Sequence, residues 1–277
     1  MGASGVSGLI NYDSPETYLP LIDRVLRIHL STKILGEIKK YAPKYCDTAS
    51  DIVLRNVDQE VVFKQILDEL SNSRFSIYHA TRIHESNRKS FETTGILPLL
   101  NANRLDLLKK QIQYYLSETS QVFDNAKFEQ LCEKHYDRDA GEVFFSLSGE
   151  YHNNDCPAYL YFGSEFDQIT VVHLLSRPDR VLLRKNTSPV LLVWEIAGED
   201  LKISMTAEEI QFCLRGGGYP VFARLLINNW VLNLCGQKDR IKFVNGDVTF
   251  TFKQPFPPIT QRLIWINDDD IKPAVLF

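Results

Sequence analysis

Apolar positions recur at helical spacing through the first 74 residues. Leu19, Ile22, Val25, Leu26 and His29 follow Ser14-Pro15-Glu16, a capping residue with proline in the first turn, so a helix is predicted from Ser14 onward. A second helix is predicted from Ser31 to Tyr41, where Pro43 stops it. A third runs from about Asp58 to Leu70 with Val61, Phe63, Ile66, Leu67 and Leu70 on its apolar side. Residues 1 to 12 are small and Gly/Ser-rich and read as a frayed tip.

The pattern changes at Phe75. Phe75–Tyr78 is apolar and β-prone and ends on His79. The polar run Thr81–Glu92 is long enough for a short helix, and Gly95 and Pro98 punctuate the chain after it. Helices are predicted at Asn103–Leu116 and Ala126–His135, and strands at Val143–Leu147 and Ala158–Phe162 with a polar loop between them. Gly163-Ser164-Glu165 reads as a turn and cap for a helix over Phe166–Leu175. Val190–Ile196 is almost continuously apolar, the mark of a strand buried on both faces. A short helix at Thr206–Leu214 carries a capping signature. Strands are predicted at Val221–Ile227, Trp230–Leu234, Ile241–Val244 and Val248–Phe252, the last two joined by the hairpin signal Asn245-Gly246, and a final strand follows the prolines at 255–258. Helices lead and strands dominate the second half. The predicted class is α+β, with a helical N-terminal subdomain over 1–74 and an α+β domain over 75–277.

Composition narrows the partners. The hydrophobic fraction of 44% and charged fraction of 24% are those of a globular protein. A net charge of −4 argues against coating nucleic acid by bulk electrostatics. Cys46, Cys132, Cys156, Cys213 and Cys235 are scattered with no CxxC pair, which suits reduced thiols in a cytoplasmic protein and no structural zinc site. No apolar run reaches membrane-spanning length. The N-terminus lacks a signal-peptide pattern, and Val6 stands where a myristoylation signal wants Ser or Thr. A cytoplasmic location is therefore expected, with no membrane partner.

Several chemistries fail on spacing. There is no GxxxxGK[ST] loop, no GxGxxG after a strand, no HExxH and no GxSxG. Gly216-Gly217-Gly218 reads as a flexible turn, and His29 as a packed or surface residue. His135 and His152 lie in polar loops without partners at ligand spacing, so no metal is expected. The charges from Arg82 to Lys89 read as a solvated helix face.

What survives is an order of motifs. Tyr78, His79 and Thr81, followed by Gly95, Ile96 and Pro98, resemble the opening of the ADP-ribosyltransferase fold. There a YHGT-like strand end meets the nicotinamide mononucleotide half of NAD and a GL.P segment follows. The resemblance continues through FFSLS (Ser146, Ser148), YLYFGSE (Tyr159, Tyr161, Glu165), PVLLVWEI and Pro255–Ile259, which is similar to the PIPP-type closing segment. It spans Phe75 to about Ile264. The YLYFGSE block is also similar to one in bacterial proteins with a YHxTR opening.

The resemblance implies a split β-sheet core, NAD as substrate, and transfer of ADP-ribose to a protein or nucleic-acid acceptor, in the role of a toxin or a phage-defence factor. Its alternative is a catalytically inactive relative that binds a nucleotide or a protein partner. His79 would hydrogen-bond a ribose hydroxyl, Tyr161 or Tyr159 would stack on the nicotinamide, and Thr81 and Ser146 would supply hydroxyls around the ribose and amide. Cleaving the nicotinamide–ribose bond develops oxocarbenium character, which a carboxylate stabilises. The family sets that glutamate just before the PIPP-like segment, where this chain reads Asp247-Val248-Thr249-Phe250-Thr251. Glu165, at a helix start whose dipole favours an ionised carboxylate, ranks first. Glu195, inside an apolar strand, ranks second, and Asp247 remains possible.

Overall fold

A six-stranded sheet organises the chain, built from β1 (Leu9–Ile10), β2 (Arg74–His84), β3 (Glu142–Ser146), β4 (Thr187–Ala197), β5 (Thr249–Lys253) and β6 (Thr260–Trp265). The computed structural model describes residues 8–94, 96, 102–117, 122–139, 142–175, 183–201, 218–243, 249–253 and 260–271. The strand order is β5-β3-β2-β4-β6, and β1 lies parallel to the start of β2, pairing Leu9 with Arg74 and Ile10 with Phe75. The other pairings are antiparallel. β2 and β4 pair along their whole length, from Arg74–Ala197 to His84–Thr187. β3 pairs with β5 along its whole length and meets β2 only at Tyr78–Ser146, its last residue. The sheet therefore parts between β2 and β3.

Alternation gives the central strands two different faces. Phe75, Ile77, Val190, Leu192, Trp194 and Ile196 point to one face, together with Val143 and Phe145 of β3. This face is closed by α1 (Leu19–His29), α2 (Thr32–Lys40), α3 (Asp51–Leu54), α4 (Gln59–Ser71) and, from far along the chain, α11 (Gly218–Leu234). Helices from residues 19–71 and the sheet thus share one hydrophobic core. The other face carries Tyr78, Ala80, Leu191 and Val193, covered by Leu160 and Ile271. Between these, α5 (Arg88–Thr94), α6 (Ala102–Ser117), α7 (Asn125–Asp139), α8 (Gly149–Asn154), α9 (Ala158–Phe162) and α10 (Glu165–Leu175) complete the described helices, with α6, α7 and α10 enclosing a smaller core of Leu108, Ile112, Phe128 and Val171. The architecture is mixed α and β.

The early helices follow local rules. Ser31 caps α2 by accepting from the Ile34 amide at 3.3 Å, and Asp58 caps α4 by accepting from the Val61 amide at 3.2 Å. On α4 the buried set is Val62, Ile66, Leu67 and Leu70, while Val61 faces outward.

Several expectations are corrected. Residues 9 and 10 are not frayed but form β1. β2 does not end at His79; it continues to His84 because each residue finds a partner on β4, and pairing outweighs the polar composition of Thr81–His84. A 3-10 turn (Glu85–Asn87) and α5 follow. Residues 149–154, expected as loop, form α8, and Ala158–Phe162, expected as strand, forms α9. Short aromatic runs satisfy either period, and Pro157 begins this one as a helix by accepting from the Tyr161 amide at 2.8 Å.

The strands expected at Val221–Ile227 and Trp230–Leu234 are one helix, α11. Phe222, Ala223, Leu226, Ile227, Trp230 and Val231 repeat at helical spacing, and the Asn228-Asn229 pair between the expected strands is buried inside it. Asn228 accepts from the Ser50 amide at 2.6 Å, and Asn229 donates to the Tyr18 hydroxyl at 2.8 Å. Ile241 lies in a 3-10 helix, Lys238–Phe243, not in a hairpin strand. The helix expected at Thr206–Leu214, the Asn245-Gly246 turn, Gly95, Pro98, Gly216-Gly217, Asp247 and Pro255–Ile259 lie outside the described residues. No described helix is long and apolar enough to cross a membrane.

Candidate functional site

The parting of β2 from β3 gathers most of the polar side chains singled out above. Tyr78 and Ser146 are the last residues the two strands pair, and His79 is the next residue along β2. The His79 ring reaches across the parting, where its Nδ1 lies 2.7 Å from the Phe144 carbonyl and its ring centroid 5.7 Å from that of Phe145. Phe145 in turn packs at a tilt on Trp194, ring centroids 4.2 Å apart, so the base of this region is apolar core.

On the opposite face Ser146 is fully buried. Its Oγ donates to the Ser148 carbonyl at 2.8 Å, which leaves its lone pair for the Nε2–H of His152, also at 2.8 Å. His152 is 6% exposed, and its Nδ1 is buried without a hydrogen-bond partner among the described residues. Burial, reinforced by the nearby His79 and opposed weakly by the Tyr78 main chain, pushes the His152 pKa down to about 4, so the ring is neutral at pH 7. A Ser–His contact of this kind could resemble a nucleophile and its base. Here the serine is inaccessible and spends its proton on a carbonyl, so the pair is a buried polar contact.

Asp13 locks α8 onto this region. Its carboxylate accepts from Ser148 Oγ at 2.5 Å and from the Gly149 and Glu150 amides at 2.7 and 3.3 Å. Asn11, two residues before it, accepts from the Tyr78 hydroxyl at 2.9 Å. Burial is the main reason the Tyr78 hydroxyl is pushed up to about 12, with the Asp13 charge adding to it. Gly149 is needed where it stands: a Cβ there would sit 3.0 Å from the Tyr78 ring and 3.1 Å from Leu191.

The remaining candidates divide between the faces. Tyr159 and Tyr161 are on α9, packed on the face of Tyr78 and Ala80, with the Tyr159 ring 6.4 Å from that of His152. Thr81 is buried and pairs with Val190, which puts it on the other face with His79. The structure therefore brings Ser146, Tyr159 and His152 together on one face, and sets Thr81 and His79 on the other face of the sheet from the tyrosines, with the His79 ring at the parting of β2 and β3. Glu165 is the first residue of α10; its side chain lies outside the described set, as does Asp247. Glu195 is not buried alone in its strand but half-buried and paired with Arg74 at 3.2 Å.

Beyond Tyr161 lies a second polar group. Arg82 belongs to β2 and is buried, correcting its assignment to a solvated helix face. Its Nε donates to Thr187 Oγ1, and Nη1 and Nη2 donate to the Leu160 and Thr187 carbonyls and to both oxygens of Asp268 at 2.7 and 3.0 Å. Arg184 adds a contact to Asp268 at 3.1 Å and stacks 4.1 Å over the Tyr161 ring. The Arg82 hydrogen bonds hold the Asp268 carboxyl below its usual range.

Asp13, His152, Arg82 and Asp268 were the residues sequence reasoning missed. Asp13 and Asp268 act across 135 and 186 positions of the chain, respectively, for which no local pattern exists. Among the described residues no group of His, Cys, Asp and Glu is arranged to hold a metal ion. Comparison with protein-family models, with curated proteins and with solved structures returns no match to this chain.

Proposed function

We propose that this chain is an ADP-ribosyltransferase-like module that binds NAD as substrate and moves ADP-ribose to a protein or nucleic-acid acceptor. The observation that supports it best is the setting of His79. It belongs to the His-x-Thr sequence and flanks the point where β3 leaves β2 after one residue pair, in keeping with a split sheet. In this reading His79 bonds a ribose hydroxyl at the parting of the strands, and Tyr159, beside His152 on the other face of the sheet, offers a ring to the nicotinamide across that parting. The C–N bond to nicotinamide breaks with its electron pair leaving on nicotinamide. The acceptor nucleophile then adds to the ribose carbon and loses its proton. Glu165 supplies the carboxylate that favours the oxocarbenium-like transition state.

The test is nicotinamide release from NAD, with cell extract supplying acceptors, by the wild type, Glu165→Gln and Glu195→Gln. The wild type is expected to release nicotinamide, and Glu165→Gln to lose roughly a hundredfold or more in rate. Full activity in the Glu165 variant with loss in the Glu195 variant would reassign the carboxylate.

A second reading, a silent relative that binds a nucleotide without turning it over, is favoured by the engagement of Asp13, near Tyr78, and of Glu195, opposite Ser76 on β4. Asp13 is spent on α8 and Glu195 on Arg74. NAD binding without nicotinamide release from any extract would select it.

A further inference from the structure

We propose that Arg82 and Arg184 form a binding site for a phosphate-class anion, and that the chain's own Asp268 fills this site as an autoinhibitory contact. Two guanidinium groups converge on one carboxylate. Arg82 offers the planar fork that receives a carboxylate or a phosphate through two parallel bonds.

The fork is set independently of its occupant. Thr187 Oγ1, the Thr187 carbonyl and the Leu160 carbonyl fix the guanidinium through separate donor contacts, at 2.9, 2.7 and 2.9 Å. If Asp268 leaves, Arg82 stays aimed at the vacated position. A buried arginine without a counter-ion is costly, so that position draws another anion. The mouth is open: side-chain exposure is 2% for Arg82, but 27% for Arg184 and 38% for Asp268. Arg184, stacked on Tyr161, forms its outer wall.

The occupant is delivered by a short element. Asp268 opens a 3-10 turn (Asp268–Asp270) just past the edge strand β6, held by the bond from the Ile266 amide to the Pro189 carbonyl and by buried Ile271. Its release breaks local contacts and spares the main core, to which none of residues 266–271 belongs. The site stands on α9 beside the Tyr159 of the NAD reading but does not depend on that reading, and its probe carries no nicotinamide.

The experiment is calorimetric titration of the whole chain with inorganic pyrophosphate at constant ionic strength. An internal competitor lowers apparent affinity by the fraction of time it fills the site, so Asp268→Asn is expected to bind pyrophosphate about tenfold or more tighter than wild type. Adding Arg184→Ala to Asp268→Asn should remove that gain. Equal affinity in wild type and Asp268→Asn, or no binding by either, overturns the proposal. If Asp268→Asn does not fold, hydrogen exchange on the wild type decides. Pyrophosphate should speed exchange of the 266–271 amides relative to chloride of equal ionic strength, and unchanged exchange there overturns it.

Discussion

The two faces of β2 and β4 are closed by different physics. One face buries Phe75, Phe145, Trp194, Phe222 and Trp230 in a single apolar core reaching from Ile10 to Ile241. The other has a small apolar strip, Tyr78, Ala80, Leu160, Leu191, Val193 and Ile271, flanked by polar groups that must each find a partner: Arg82 with Asp268, Ser146 with His152, Asp13 with α8. The apolar contacts that dominate the first face are nondirectional and carry no charge to titrate. On the second face stability depends on specific donors, acceptors and charges, and the same groups are the ones that could bind an anion or a nucleotide. The first face makes the fold, and the second gives it chemistry.

The largest effect should come from the first face. Trp194, 1% exposed and packed at a tilt against Phe145, is expected to cost about 3–5 kcal/mol when changed to Ala, measured by denaturant unfolding, with the same cost at pH 5 and pH 7. A cost below about 1 kcal/mol would mean that this core is not what holds the sheet.

The second face should instead respond to pH. His152 takes its proton near 6.5 when unfolded and only near 4 when folded, so between those values the unfolded chain binds more protons and stability falls as pH drops. The loss grows to about 3 kcal/mol near pH 4, as an order of magnitude, and His152→Gln should flatten that part of the pH–stability curve. An unchanged slope in the variant would assign the acid sensitivity elsewhere. A smaller effect is expected from Gly149→Ala, whose new methyl meets the Tyr78 ring and Leu191 and should cost about 1–3 kcal/mol of stability. A neutral result would show that α8 can back away from β2.

The same division explains what the sequence made legible. α1, α2, α4 and β4 announce themselves through helical spacing, the caps at Ser31 and Asp58, and the unbroken apolar run at 190–196, because local pattern and final burial agree there. α11 was misread because aromatic and β-branched residues around Asn228-Asn229 mimic two strands and a turn. The spacing of Phe222, Leu226, Trp230 and their neighbours, followed across the asparagines, gives the helix. α9 is too short for periodicity to decide, and its fate is set by docking on β2. Of the candidate site, His79, Thr81, Ser146 and Tyr159 were visible as residues, but the sheet that sets His79 and Thr81 on one face and Ser146 and Tyr159 on the other was not, since β2 runs on past His79 only through its pairing with β4. Asp13, Arg82 and Asp268 owe their roles to contacts between distant parts of the chain.

The central claim, that His79 flanks an NAD site where β3 parts from β2, is tested most directly by the melting temperature with and without NAD in the wild type and in His79→Ala. Ligand that binds only the folded state adds about 2.7 kcal/mol at a hundredfold excess over its dissociation constant. Millimolar NAD is expected to raise the wild-type melting temperature and NADP to raise it less, and His79→Ala to fold but lose the NAD response. A wild type unmoved by millimolar NAD, or a His79→Ala variant that responds as fully as the wild type, would contradict it.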